Sequence, residues 1–70
     1  MLDVGMNALT IADAAHLLRL EYAELPGLVL TAEQAQTLFD LSRELCDRAL
    51  DLLLETGFLR RTTGGSYCRR

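Results

Sequence analysis

The sequence predicts a small, mostly helical α+β domain: three helices with a two- to three-stranded antiparallel sheet, in the order α-β-α-α-β-β. Three observations carry this. Thr10, Thr31 and Ser42 each stand just before a helical apolar pattern, as N-cap residues do. Gly57 follows the third pattern where a left-handed stop residue is expected. Gly64-Gly65 then separates two short runs that read as hairpin strands.

The elements follow in order. Residues 1–9 read as a loose leader. Thr10 with Asp13 forms a capping-box variant, and Ile11, Ala14, Ala15, Leu18, Tyr22 and Leu25 repeat as one helical stripe. This gives a first helix over 11–24, with Glu21 and Glu24 placed unfavourably for its dipole. Pro26-Gly27 ends it, and Leu28-Val29-Leu30 reads as a short strand. Thr31 with Gln34 is a second capping box, opening a helix over 32–38 that turns Ala35 and Leu38 inward. A tight turn at Phe39-Asp40-Leu41 leads to Ser42 and a third helix over 43–56, whose inward stripe is Cys46, Ala49, Leu50 and Leu53. Residues 58–69 form the hairpin, with both glycines supplying positive φ. The whole of 1–70 is one domain.

Composition narrows the function classes. Half of the 70 residues are apolar, 16 of them Leu and 8 Ala, too many for a disordered chain. A chain of this length buries only about 60–65% of its unfolded surface, so surplus apolar side chains point to a partner or a second copy. The net charge of −3 opposes phosphate binding in total, but the charge is unevenly spread. Residues 1–57 carry all ten acids against Arg19, Arg43 and Arg48, whereas 58–70 carry Arg60, Arg61, Arg69 and Arg70 and no acid. Basicity carried by arginine alone points to a GC-rich bacterial genome.

Several chemistries lack the residues they need. Cys46 and Cys68 fit neither a zinc spacing nor a redox Cys-x-x-Cys, so each reads as a structural thiol. His16 is the single histidine and has no second ligand or nucleophile at a working spacing. The expectation is no catalysis, no cofactor, no metal and no small-molecule substrate. No run approaches the roughly 20 apolar residues of a membrane span and no charged signal region opens the chain, so a cytoplasmic protein is expected.

With the elements placed, Leu41-Ser-Arg-x-x-Cys-x-Arg-Ala-Leu-Asp-x-Leu-x-x-x-Gly-Phe-Leu-Arg-Arg61 resembles the recognition helix and wing of bacterial winged helix-turn-helix transcription regulators. The likeness extends back through Leu30-Thr-x-x-Gln-Ala-x-x-Leu38 and covers about 28–69. The chain also resembles short proteobacterial proteins that share its Glu-Tyr-x-Glu-x-Pro-Gly-Leu and Gly-Phe-Leu patterns. The resemblance implies a helix in the major groove and a wing on the adjacent backbone.

Two readings of function stay open. In the first, double-stranded DNA is bound, with Arg43 and Arg48 at the groove and Arg60, Arg61 and Arg69 on phosphates. Glu44, Asp47 and Leu45 on the same helix depart from a good reader, since the acids repel phosphate and Leu45 offers no hydrogen bond. In the second, the scaffold serves as a protein-interaction or dimerisation module through an apolar surface around Leu45 and Leu52, with Leu17, Leu20 and Leu54 also outside the inward stripes. Tyr67, between the wing arginines, is expected to pack on the sheet rather than to stack on a base.

Overall fold

Each helix among the described residues begins at a hydroxyl. In the computed structural model, which describes residues 9–70, the Thr10 hydroxyl accepts the Asp13 amide at 3.0 Å and the Asp13 carboxylate accepts the Thr10 amide at 3.1 Å. Thr31 and Gln34 repeat the reciprocal pair at 3.1 and 3.0 Å, and the Ser42 hydroxyl accepts the Leu45 amide at 3.1 Å. Each cap contributes about 1 kcal/mol and fixes where its helix starts. The resulting elements are α1 (Ile11–Glu24), β1 (Val29–Leu30), α2 (Ala32–Leu38), α3 (Arg43–Glu55), β2 (Leu59–Arg61) and β3 (Tyr67–Arg69). The leader expected at 1–9 lies, except for Leu9, outside the described residues.

The helix ends are equally local in origin. After α3, Gly57 takes φ +84°, its amide bonds the Leu54 carbonyl at 3.1 Å, and the Phe58 amide bonds the Leu53 carbonyl at 3.0 Å. That pair of bonds is a Schellman motif, and it turns the chain back so that Phe58 returns toward α1. After α2 the same motif recurs with Asp40 at φ +53°, the Asp40 amide on Thr37 at 3.3 Å and the Leu41 amide on Gln36 at 2.9 Å. A Cβ at Gly57 would meet nothing within 4 Å, so only the backbone conformation resists a side chain there. Gly57→Ala is therefore expected to destabilise the fold by about 1–2 kcal/mol, read as a lower midpoint in urea denaturation.

The strands form one antiparallel sheet in the order β1-β3-β2, with Leu30 opposite Tyr67, and Leu59 and Arg61 opposite Arg69 and Tyr67. Three helices and this sheet give the expected mostly helical α+β class in a winged-helix layout, with β2 and β3 as the wing. Between them, the Gly65 amide bonds the Thr62 carbonyl at 3.0 Å and the Thr62 amide bonds the Ser66 carbonyl at 2.8 Å. Gly65 alone takes positive φ (+87°); Gly64, expected to share that role, does not.

The core joins all three layers. Ala14, Ala15, Leu18 and Tyr22 from α1, Ala35 from α2, and Cys46, Ala49, Leu50 and Leu53 from α3 meet Leu30, Leu59 and Tyr67 from the sheet. Two residues expected inward are not. Leu25 is 51% exposed because it is the C-cap of α1, where the helical stripe ends before Pro26. Leu38 is 46% exposed because α2 stops there, and the turn at Asp40 buries Leu41 in its place. Leu28 belongs to the turn rather than the strand, its amide on the Leu25 carbonyl at 2.8 Å, and Thr56 caps α3 rather than extending it.

Tyr22 ties helix to sheet. Its ring is fully buried, meets Phe58 edge-on at 6.5 Å and 84°, and its hydroxyl donates to the Tyr67 carbonyl at 2.7 Å. Burial, with a smaller contribution from Cys68, pushes its phenol up to about 12. No helix among the described residues is long and apolar enough to cross a membrane.

Candidate nucleic-acid interface

The exposed face of α3 carries Arg43, Glu44, Asp47, Arg48, Asp51 and Glu55, two cations against four acids. Arg48 is already engaged: its guanidinium meets the Glu44 carboxylate at 3.4 Å, one turn back on the same helix. With both side chains well exposed, that pair contributes only a few tenths of a kcal/mol. It nevertheless sets much of the Arg48 charge against a neighbour. Arg43 is different. It occupies the first helical position, where the helix dipole disfavours a cation, and so gains nothing from its own helix.

The two leucines expected at a protein interface lie two turns apart on α3. Leu45 is half-buried and lines a hollow of about 570 Å³ with Leu9, Ile11, Ser42, Glu44 and Arg48, near the start of α1. Leu52 is also half-buried and lines a smaller hollow of about 240 Å³ with Ala12, His16, Arg19 and Thr56. The structure thus sets both beside α1. Leu17 and Leu54 are half-buried, while Leu20 is half exposed at 50%.

The wing carries further cations. Strand alternation turns Leu59 inward and leaves Arg60 exposed, in a cross-strand row with Cys68 and Val29. Arg61 lies over the Tyr67 ring, 5.2 Å from its centroid, and donates to the Tyr67 hydroxyl at 3.0 Å. Tyr67 is 8% exposed and holds Arg61 rather than a free stacking face. Arg69 lies 5.3 Å from the centre of the Phe58 ring.

Another cation comes from α1, where no sequence pattern marks it. Arg19, on α1, lies 5.2 Å from the centre of that same Phe58 ring. Its placement follows from Tyr22, three residues on and so on a neighbouring part of the helix surface, which also meets Phe58. Arg60, Arg61, Arg69, Arg70 and Arg19 are all exposed, and none forms an ion pair among the described residues.

The cysteines are both free. Cys46 is buried between α2 and α3, its thiol donating to the Ala32 carbonyl at 3.7 Å, and burial with the adjacent Asp47 raises its pKa, which disfavours the reactive thiolate. His16 is exposed, and no group of three or more His, Cys, Asp or Glu among the described residues is placed to hold a metal ion. Comparison of the chain with protein-family models, with curated proteins and with solved structures finds no match.

Proposed function

We propose that the chain is a small, non-catalytic winged-helix domain of the bacterial transcription-regulator type that binds double-stranded DNA chiefly through its wing. Arg60, Arg61 and Arg69 hold phosphates, and Arg43 rather than the ion-paired Arg48 is the contact from α3. The observation that carries this reading is charge segregation: residues 58–70 hold four arginines and no acid, while the exposed face of α3 holds an excess of acids. Glu44 and Asp47 can accept only from cytosine N4 among the base edges and otherwise repel phosphate, so affinity comes from the backbone more than from base reading. A cytoplasmic location fits two free thiols.

Fluorescence anisotropy against a random duplex at low salt tests this. Binding should appear by tens of micromolar protein and fall with salt at a slope of about −2.7 for three phosphate contacts. Flat anisotropy at that concentration would sink the reading. A second reading rests on the half-buried Leu45 and Leu52 and the exposed Leu20, apolar surface that a partner protein or a second copy would cover. Light scattering at two protein concentrations separates a self-associating chain from a monomer.

A further inference from the structure

Where α1 meets the wing, two guanidinium groups converge on one aromatic ring. Arg19 lies 5.2 Å and Arg69 5.3 Å from the centre of Phe58, so these like charges can be no farther apart than about twice that distance. Neither forms an ion pair with a carboxylate among the described residues, where the ion pair present is Arg48–Glu44. The ring itself is fixed. The Phe58 amide is bonded to the Leu53 carbonyl at 3.0 Å, its carbonyl accepts the Arg70 amide at 3.3 Å, and the buried Tyr22 ring abuts it. Beside it opens a hollow of about 270 Å³ lined by His16, Arg19, Leu20, Ala23 and Phe58.

A guanidinium over a ring keeps its N–H edge available for oxygen acceptors, and it is weakly hydrated, so an anion displaces little bound water. Two guanidinium groups on one ring, neither paired with a carboxylate among the described residues, repel each other, and an anion bound at their outward N–H edges relieves that repulsion. The pair is also continuous with the wing. Arg69 stands opposite Leu59 on β2, the strand that carries Arg60 and Arg61. Arg61 shares the face of the hairpin that carries Leu59, Tyr67 and Arg69, and three arginines on one side favour a repeating polyanion over a single small ion, which would meet only two of them.

We propose that Arg19 and Arg69 over Phe58 form a clamp for a phosphodiester group of duplex DNA, extending the backbone contact from the wing onto α1. The clamp rests on the DNA-binding reading above. It adds a helix that the sequence left out of the interface.

The test uses Arg19→Gln, Arg69→Gln, the double variant and Arg19→Lys, all at exposed positions, with the fold of each checked by circular dichroism. Anisotropy with a random duplex is measured from about 50 to 200 mM salt, and amide NMR shifts are followed on addition of inorganic phosphate. Each glutamine variant should weaken binding about fivefold and take about 0.9 off the salt slope, and Arg19→Lys should keep the slope because it keeps the charge. An unchanged slope in Arg19→Gln, with a reduced one in Arg60→Ala plus Arg61→Ala, overturns the clamp and leaves the DNA reading standing. No duplex binding by the unaltered protein overturns both. Saturable phosphate shifts around Arg19 and Arg69 in a protein that ignores duplex make this a small-anion site and overturn the clamp as stated.

Discussion

Tyr22→Ala is expected to remove about 3–5 kcal/mol, a large share of the roughly 4–10 kcal/mol that a domain of this length holds. The side chain is fully buried at the junction of α1, β3 and the start of the wing. Its loss opens a ring-sized cavity, leaves the Tyr67 carbonyl without the phenol donor and removes the edge contact to Phe58. Tyr22→Phe keeps the ring and should cost only about 1 kcal/mol, the share of the hydroxyl. The pair also has a pH signature. The folded phenol is pushed up to about 12, above the ordinary value near 10, so its protonated form is the one the fold favours. The stability it contributes is therefore complete below about pH 10 and is lost as pH rises from there through about 12. Urea denaturation at mildly and strongly alkaline pH should show Tyr22→Phe closing its gap to the unaltered protein. A gap that widens with pH would contradict the assigned environment of Tyr22.

Arg60→Glu with Arg61→Glu takes the charge of residues 58–70 from +4 to zero and is expected to lower duplex affinity by about a hundredfold at low salt. About 1.8 should leave the salt slope, and the two new carboxylates add repulsion. The fold should persist, since both side chains are exposed and only Arg61 gives up a hydrogen bond, to the Tyr67 hydroxyl. Thermal melting followed by circular dichroism separates lost binding from lost structure. Affinity within threefold of the unaltered protein would remove the wing from the interface.

The elements were legible because their signals are short-range. Thr10, Thr31 and Ser42 cap whatever helix follows, and Gly57 stops α3 through its own φ, with no help from distant residues. Periodicity placed Cys46, Ala49, Leu50 and Leu53 inward because α3 runs for several turns. It misplaced Leu25 and Leu38, which sit at helix ends where the stripe no longer follows the packed face. Asp40 gave no signal for its left-handed turn, since that conformation is usually glycine's and here accompanies the burial of Leu41.

The candidate site divides in the same way. A block of arginines without acids at 58–70 is visible in composition, and so is the poor chemistry of α3 as a base reader. Arg19 was invisible because its neighbour, Phe58, lies far along the chain. Only the turn after α3 and the burial of Tyr22 bring them together. The half-burial of Leu45 likewise depends on its packing against the core, which no spacing on α3 announces.

DNA is expected to meet the arginines of the wing more than the exposed face of α3, and an amide NMR titration with a short random duplex tests this. The expected result is that the largest shifts fall on residues 58–70 and around Arg19, with Arg43 the main responder on α3. Shifts confined to Glu44, Asp47, Arg48 and Asp51, with the wing amides unmoved, would contradict it.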